Sequence, residues 1–207
     1  MPTAIIGLGQ IGQAIATNLA ATDEQVLLVA HDLDRASEIA DRIGGTAQAS
    51  RIESAIEAAD TVVLAVSLHS AVELLSDLQD GLAGKVVIDP SNPLEITAGG
   101  EFRRTLPEGE TAAGALQRLL PHGAHFAKAF STLPSDALVT ARDSKPEPIA
   151  LFYVAFDETA DTAVSRLIRL MGFEPIRLEG DGQVQRIEFG GDLGFQILAA
   201  SEARSRA

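Results

Sequence analysis

Three glycines near the start of the chain have the type and spacing to bind a phosphate. Gly7, Gly9 and Gly12 form the pattern G-x-G-x-x-G. The first glycine of this pattern allows a tight turn, the second lets the backbone approach a pyrophosphate, and the third lets a helix pack closely on a strand. Free backbone N–H groups and the helix dipole then bind the anion, so no lysine is needed. The full run is Gly7-Leu8-Gly9-Gln10-Ile11-Gly12.

The residues around this motif strengthen the prediction of a dinucleotide site. A short apolar run over 3–6 predicts a strand before the motif, and helical spacing over 10–21 predicts a helix after it. Asp32 lies 20 residues beyond Gly12, at the end of a second predicted strand over 26–30. An acid at this point accepts hydrogen bonds from the adenosine ribose hydroxyls.

The choice between NAD and NADP is left open by the residues at this point. The carboxylate of Asp32 repels a 2′-phosphate, which favours NAD, whereas His31 or Arg35 would offset that repulsion by turning toward the site.

Apolar runs and helical patterns alternate along the first half of the chain, which predicts an α/β fold. Ser50 and Glu53 have the spacing of a capping box, and Gly44-Gly45 is typical of a helix C-terminus. Four βα units in sequence predict a Rossmann-type, doubly wound parallel sheet with helices on both faces. The predicted strands are 3–6, 26–30, 61–66 and 86–89, and the predicted helices are 10–21, 36–43, 50–59 and 70–78.

The second half of the chain predicts a small C-terminal α/β extension. Residues 90–113 are rich in proline and glycine and are interpreted as a long loop or lid. Asp157 is expected to be the N-cap of a helix over 157–171. The expected domains are a dinucleotide-binding domain over 1–120 and a substrate and dimerisation region over 121–207. The other predicted elements are a helix over 112–120, strands at 126–130, 149–156 and 174–178, and a bent or split helix over 183–203.

Composition excludes several classes of function. The 207 residues are 46% hydrophobic and 22% charged, which is typical of a globular protein. A net charge of −13 provides no electrostatic attraction to a nucleic acid. The chain has no cysteine, so disulfides and thiolate metal sites are excluded. The first 22 residues are uncharged but contain Gln10, Gln13 and Asn18, so we expect neither a membrane span nor an export signal. We therefore expect a cytoplasmic protein.

Three further segments carry a resemblance to a known family. They are Val87-Ile88-Asp89-Pro90-Ser91-Asn92-Pro93-Leu94, then Ala127-Lys128-Ala129-Phe130-Ser131-Thr132-Leu133-Pro134, then Gly172-Phe173-Glu174-Pro175. Together with the glycine motif, the chain resembles the NADP oxidoreductases that use the deazaflavin coenzyme factor 420. It also resembles the related N-terminal oxidoreductase domains of membrane metalloreductases.

The resemblance implies a Rossmann domain, NAD(P)H as cofactor, a deazaflavin or flavin as second substrate, and a homodimer built partly by C-terminal helices. It places the segment from Phe130 to Pro134 toward the second redox partner. It places the nicotinamide near Ala65, Val66, Ser67, Asn92 and Pro93.

This sequence departs from the family pattern at two positions. Family members that bind NADP usually carry arginine or serine-arginine after the second strand, where this chain has His31-Asp32. The deazaflavin enzymes have a histidine at the position of Ser131.

Hydride transfer between two ring systems needs proximity and stacking more than an acid or a base, so no obligatory catalytic residue is expected. Ser131 and Thr132 are candidates to bind a carbonyl of the acceptor, or else cap the following turn. Lys128 either points into a cleft toward an anionic acceptor or lies along the sheet with its charge in water.

Other polar residues have weaker patterns. His69 follows the fourth predicted strand, where it either contacts the cofactor or helps to start a helix. His122 and His125 lack a carboxylate at ligand spacing, so no metal site is expected. Arg103-Arg104 is either an anion contact or a solvated pair.

Three functions remain open. The first is a reductase that passes a hydride between NAD(P)H and a flavin-like or deazaflavin-like acceptor. The second is a small imine or carbonyl reductase resembling the pyrroline carboxylate reductases, for which His69, Ser131 and Thr132 are the candidate proton donors. The third is a non-catalytic module that senses a dinucleotide.

Overall fold

A computed structural model describes residues 2–97, 99–180 and 182–207. Within these ranges the strands are β1 (Thr3–Ile6), β2 (Val26–Val29), β3 (Ala47–Ala49), β4 (Thr61–Leu64), β5 (Val86–Asp89), β6 (Leu94–Ile96), β7 (Phe102–Arg104), β8 (His125–Lys128), β9 (Ala150–Ala155) and β10 (Glu174–Arg177). The helices are α1 (Gln10–Ala20), α2 (Leu33–Ile43), α3 (Ile52–Ala58), α4 (Leu68–Leu78), α5 (Ala112–Gln117), α6 (Ser135–Thr140), α7 (Glu158–Leu170), α8 (Gln183–Ile187) and α9 (Ala200–Arg206).

Eight of the described strands form one sheet in the order β10-β9-β8-β5-β4-β1-β2-β3. Neighbouring strands are parallel except for β8 and β9, which are antiparallel. The chain runs outward from β1 through β2 to β3, then returns to β4 on the other side of β1. This reversal is a topological switch point, where open α/β sheets bind ligands beyond the carboxyl ends of the strands.

Helices cover both faces of the sheet, as the sequence predicts. On one face α1, α2, α6 and α7 pack on alternate strand residues such as Ile5, Leu28 and Val63. On the other face α3, α4 and α5 pack on the intervening residues, such as Ile6 and Leu64. Because both faces are covered, the central strands are apolar at nearly every position, and the period-2 alternation is lost. The predicted doubly wound α/β fold is confirmed.

The start of α2 differs from the prediction. The helix begins at Leu33 and not at Ala36, because Asp32 is its N-cap and accepts a hydrogen bond from the backbone N–H of Arg35. The predicted capping box at Ser50 is wrong. Arg51 precedes α3 without a side-chain cap, and the Ser50 hydroxyl contacts the Arg51 carbonyl instead.

The segment 90–113 is not simply a loop. It contains the antiparallel hairpin β6–β7, in which Leu94 pairs with Arg104 and Ile96 with Phe102. Both side chains of the second pair are exposed. The short strands β3, β6 and β7 and the helix α6 were not predicted, because three to six residues carry too little periodicity to be recognised.

The C-terminal half extends the same sheet through β8, β9 and β10. Asp157 is the N-cap of α7, as predicted, and accepts from the N–H of Ala160. The predicted helix over 183–203 is split into α8 and α9 by the segment 188–199. Strands on both sides of residue 120 lie in one sheet, and the division into two domains there remains a prediction. Among the described residues, no helix is both long and apolar enough to cross a bilayer.

Candidate functional site

The glycine motif forms a tight turn between β1 and α1. Gly7 has φ +96°, and a Cβ atom there would lie 2.4 Å from the carbonyl oxygen of Ala65. A Cβ at Gly12 would lie 2.0 Å from the carbonyl oxygen of Gly7. Only glycine fits at these two positions, because any side chain would push α1 away from β1 and from the end of β4.

Gly9 faces open space. It precedes α1 as the N-cap residue, and a Cβ placed on it would meet no described atom within 4 Å other than those of its two chain neighbours. In the described part of the chain no side chain caps the helix, and its first turn contains no acidic residue. The first N–H groups of α1 therefore point toward a space that a side chain at residue 9 would enter. This is the arrangement in which a helix N-terminus binds an anion.

The side chain of Gln13 stabilises the glycine turn through hydrogen bonds. Its side-chain Nε2 donates to the carbonyl oxygen of Leu8 at 2.6 Å. Its Oε1 accepts from Nη2 of Arg42, on α2, at 2.6 Å. The turn, α1 and α2 are thus joined through one amide side chain, a contact that the sequence pattern did not reveal.

A cleft of roughly 1160 Å³ lies beyond the carboxyl ends of β1, β2 and β4. It opens at the switch point of the sheet, as expected for a dinucleotide site. Six of the predicted cofactor residues line it: Gly7, Leu8, His31, Asp32, Arg35 and Val66. The other predicted cofactor residues are not among its lining residues: Gly9, Gln10, Ile11, Gly12, Ala65, Ser67, His69, Asn92 and Pro93.

The far wall of the cleft is polar, and sequence reasoning missed it. The polar side chains that line it in addition are Asp34, Ser50, Arg51, Glu53, Ser70, Glu73 and Asp77. They come from the start of α2, from the start of α3 with the residues before it, and from positions along the length of α4. The βα crossovers could have predicted that residues after the strands line the cleft, because each crossover places the residue after a strand at this edge of the sheet.

Asp32 lies at the mouth of the cleft on the β2 side. Its Oδ1 accepts from the N–H of Arg35 at 2.7 Å, and within the described residues Oδ2 makes no hydrogen bond. The guanidinium of Arg35 pairs with Glu38 at 3.2 Å on the exposed face of α2. His31, Asp32 and Arg35 are all exposed, so a ligand can reach them.

Ser67 and His69 lie at the start of α4. The Ser67 hydroxyl accepts from the backbone N–H of Ser70 at 3.2 Å, so Ser67 caps the first turn. His69 is exposed, and its Nε2 lies 3.4 Å from Oε1 of Glu73 one turn later. Its contact with a cofactor remains a prediction.

The Asn92 side chain is bound to backbone groups at both ends. Its Nδ2 donates to the carbonyl oxygen of Ser131 at 3.2 Å, and its Oδ1 accepts from the N–H of Phe189 at 2.8 Å. Neighbouring Pro93 is buried. Asn92 therefore joins the loops after β5 and β8 to the segment that follows α8.

Both predicted positions for the Lys128 side chain are wrong. Its ammonium group is completely buried, 2.7 Å from Oδ2 of Asp89 and 3.5 Å from Oε1 of Glu188. It also donates to the carbonyl oxygen of Ser91. It lies neither in an open cleft nor in water, because two buried carboxylates need a cation beside them.

The two hydroxyls after β8 are buried. Ser131 Oγ donates to the carbonyl oxygen of Ile187 at 3.0 Å. Thr132 Oγ1 is enclosed and has no hydrogen-bond partner among the described residues. Neither hydroxyl caps the following helix, which Pro134 precedes without a side-chain cap, so that alternative is wrong.

The remaining polar candidates make local contacts. His125 Nδ1 lies 3.0 Å from Oδ1 of Asp157, the same oxygen that caps α7. Arg103 pairs with Glu95 across the hairpin, and Arg104 donates to the carbonyl oxygens of Glu110 and Phe189. In the part of the chain that the structure describes, no three metal-ligating side chains cluster.

The switch point, the glycine turn, the uncapped α1 N-terminus and the acid after β2 are the features of a Rossmann-type α/β protein. In this class dinucleotides bind at this edge of the sheet. Comparison with known proteins then identifies the proteins that this chain resembles. The family model described as NADP oxidoreductase, coenzyme F420-dependent, matches residues 2–93.

Two curated relatives are the F420-dependent NADP reductases of Methanothermobacter thermautotrophicus and Methanothermobacter marburgensis. They are 31% and 28% identical to this chain over 149 and 142 residues. The alignments cover 67% and 64% of this chain, and 64% and 63% of the relatives. The chain thus spans less than two thirds of the length of either relative. Over residues 2–93 it is similar to the F420-dependent NADP oxidoreductase family.

Solved structures show the same fold. A hypothetical protein from Sinorhizobium meliloti is 28% identical with a TM-score of 0.85, covering 96% of this chain and 95% of that chain. An F420-dependent NADP-reductase structure from Arthrobacter sp. FB24 is 22% identical with a TM-score of 0.73, covering 85% and 83%. A pyrroline-5-carboxylate reductase from Coxiella burnetii is 18% identical with a TM-score of 0.63, covering 90% and 61%. The last two are similar in fold alone.

Proposed function

We propose that this chain is an NAD(P)-dependent oxidoreductase that transfers a hydride between a nicotinamide cofactor and a flavin-like or deazaflavin-like acceptor. The observation that carries the proposal is Gly9, which leaves open space in front of the uncapped N-terminus of α1. The names of the two curated relatives, F420-dependent NADP reductases, support the choice of acceptor.

The topology supports one orientation for the proposed cofactor. The pyrophosphate would bind the N–H groups of α1, and the adenosine ribose would bind Asp32 beyond β2. The nicotinamide would then extend to the other side of the switch point, over the ends of β4 and β5. A local field of backbone dipoles can bind a diphosphate even though the net charge is −13.

The protein's part in the reaction is positioning. When bound, the reduced nicotinamide supplies a hydride, which is two electrons and one proton, to the acceptor ring. The glycine turn would fix one end of the cofactor, and the two rings would lie beside the loops after β4, β5 and β8. Alignment of stacked rings lowers the barrier without an acid or a base.

The imine reductase alternative needs a proton donor beside the nicotinamide. The proton of the Ser131 hydroxyl is already donated to a backbone carbonyl, and Thr132 is enclosed. His69 is exposed but does not line the cleft. These contacts favour an acceptor that takes a hydride without a protein acid.

Two measurements test the proposal. Calorimetry measures the binding of NADPH and NADH, and near-ultraviolet absorbance then follows their oxidation with factor 420, flavin mononucleotide or a cyclic imine as acceptor. We expect binding, and oxidation with the deazaflavin or the flavin. Binding without oxidation would support the sensor alternative, oxidation only with the imine would support the reductase alternative, and no binding would overturn all three.

We also propose a homodimer, as the family resemblance implies. Light scattering coupled to size-exclusion chromatography tests it, and a mass of 21.7 kDa at micromolar concentration would show a monomer instead.

A further inference from the structure

A buried ionic cluster lies at the carboxyl ends of β5 and β8. It consists of Asp89, Lys128 and Glu188, and we call it the Lys128 cluster. The ammonium lies 2.7 Å from Asp89 and 3.5 Å from Glu188, and none of the three side chains is more than 1% exposed. Burying charges costs free energy, so such a cluster is weak evidence for stability alone and requires another explanation.

Glu188 connects this cluster to a second element. Its Oε2 accepts from the N–H of Ala112 and its Oε1 from the N–H of Ala113, both at 3.0 Å. These are the first two residues of α5, whose next free amide, at Gly114, is capped by Thr111. Glu188 is thus bound by a lysine from one side and by two helix amides from the other.

Three segments converge at the cluster. They are 89–92 from the end of β5 onward, 128–132 around the end of β8, and 187–189 from the end of α8 onward. Asn92 joins the first to the other two, and the Ser131 hydroxyl donates to Ile187. Glu188 therefore lies within a set of contacts that attaches the segment 187–189 to both loops.

This junction lies on the side of the switch point that is opposite Asp32. Asp32, on the adenosine side, follows β2, whereas β5 and β8 lie on the opposite side of the switch point. Any group that stacks on a nicotinamide over β4 and β5 must lie against the loops after β5 and β8. The Lys128 cluster lies behind these loops, completely enclosed by protein.

One of these loops is held in a strained conformation. Phe130 is fully buried and has φ +64°, a region that bulky residues rarely adopt. Such a conformation persists only where surrounding contacts determine it. Lys128 on one side and Ser131 on the other provide those contacts.

We propose that Glu188 is a positioning residue for the acceptor side of the site. By binding Lys128 and the first amides of α5, it fixes the segment 187–189 against the loops after β5 and β8, and so fixes the geometry in which the acceptor meets the nicotinamide. This inference rests on the proposed function. It does not require that Glu188 touch either substrate.

The variant Glu188→Gln tests the proposal, because the amide keeps the size of the side chain but loses its charge and one acceptor oxygen. The matched control is Glu202→Gln, which removes an exposed pair with Arg206 in the same C-terminal region. Hydrogen exchange is measured for peptides over 110–114 and 187–193. We expect about tenfold faster exchange in these two peptides for Glu188→Gln, and no change for Glu202→Gln.

Steady-state kinetics gives the second readout. We expect the acceptor KM to rise or kcat to fall by about tenfold in Glu188→Gln, while the nucleotide Kd stays within about twofold. A purely structural role would change both substrates alike, with faster exchange across the whole sheet, and this result would overturn the proposal. Unchanged exchange in the two peptides would also overturn it.

The two hypotheses fail in different ways. If the wild-type chain oxidises no nucleotide, the proposed function fails, and local exchange still decides whether Glu188 fixes the segment. If Glu188→Gln does not fold, Ser131→Ala is the substitute variant, because it removes only the hydrogen bond to the Ile187 carbonyl oxygen. We then expect Ser131→Ala to have faster hydrogen exchange over 187–193 and unchanged nucleotide affinity. Any other result would reject the proposal.

Discussion

Oδ1 of Asp32 accepts a hydrogen bond from the backbone N–H of Arg35 at 2.7 Å. The residue predicted to bind the ribose is therefore also the N-cap of α2. One oxygen of the carboxylate holds the helix start, and the other oxygen is exposed at the mouth of the cleft. A test of cofactor preference must separate these two roles.

Asp32→Ser separates them, because serine is a comparable N-cap but carries no charge. We expect the ratio of kcat/KM for NADPH to that for NADH to rise by about tenfold, or ~1.4 kcal/mol, since repulsion of the 2′-phosphate is removed. The free energy of unfolding should change by less than ~0.5 kcal/mol. Kinetics with both nucleotides and urea denaturation measure the two effects.

The control for this prediction is Asp34→Ser. It removes the same charge from the same cleft, two residues further along α2 and away from the cap. An equal shift in preference for both variants would mean that the general field of the cleft matters, and not a contact between Asp32 and the ribose.

Substitution of two glycines in the motif should impair two different properties, nucleotide binding for Gly9 and stability for Gly12. Gly9→Ala should fold normally, because its Cβ meets no protein atom, but it should weaken nucleotide binding by about tenfold or more by occupying the pyrophosphate position. Gly12→Ala should instead lose about 1–3 kcal/mol of stability, because its Cβ would lie 2.0 Å from the Gly7 carbonyl oxygen. Calorimetric titration and thermal unfolding measure the two losses.

Gly99→Ala is the neutral control for both, since the nearest atom to its Cβ would be 3.8 Å away. If Gly9→Ala binds NADPH as tightly as Gly99→Ala does, the pyrophosphate does not lie in front of α1.

Lys128→Met should destabilise the protein strongly. It leaves Asp89 and Glu188 buried without their cation, and removal of one partner from a buried ionic group costs about 3–5 kcal/mol. Urea denaturation followed by circular dichroism measures the loss. Lys85→Met is the comparison, because its half-buried ammonium donates one hydrogen bond to the Ala59 carbonyl and should contribute only about 1 kcal/mol. Equal losses would contradict the burial of Lys128.

Glu24 should make stability depend on pH. Burial favours the neutral carboxyl, but hydrogen bonds from Arg166 and Thr3 outweigh burial and hold the pKa of Glu24 below its ordinary value of 4.5. Because the folded-state pKa is lowered, the stabilisation is fully present above the unfolded-state pKa and is lost as the pH falls through the folded-state pKa.

Glu24→Gln tests this dependence. We expect a loss of about 2 kcal/mol at pH 7, from the broken charged hydrogen bonds that join α7 to β1, and a smaller difference from wild type near pH 3. Glu38→Gln removes an exposed pair with Arg35 and should cost less than ~0.5 kcal/mol at either pH. Urea denaturation at both pH values measures the difference; a constant gap between wild type and Glu24→Gln would contradict the lowered pKa.

Much of the fold could be predicted because its signals are local. The apolar runs at β1, β2, β4 and β5 are uniform since these strands are covered on both faces. Asp157 was predicted to cap α7 because capping involves residues three positions apart. The start of α2 was misplaced because Asp32 was interpreted only as a ribose ligand, although its type is equally typical of an N-cap.

The contacts around the ends of β5 and β8 could not be predicted in the same way. Lys128 was expected in a cleft or in water, and nothing within four residues of it predicts two buried carboxylates beside its ammonium. Asn92 and Ser131 were expected to meet ligands, but the structure binds both to backbone groups that are 39 to 97 residues away.

The sequence by itself determined the alternation of strands and helices, the glycine turn and the acid after β2. Each of these features depends on residues that lie near one another along the chain, so their types and spacing are enough to predict it. Only the tertiary structure decided that Asp89, Lys128 and Glu188 share one buried cluster. Their meeting depends on the pairing of β5 with β8 and on the return of the chain after α8, and charged side chains separated by 39 and 60 residues leave no periodic signal along the chain.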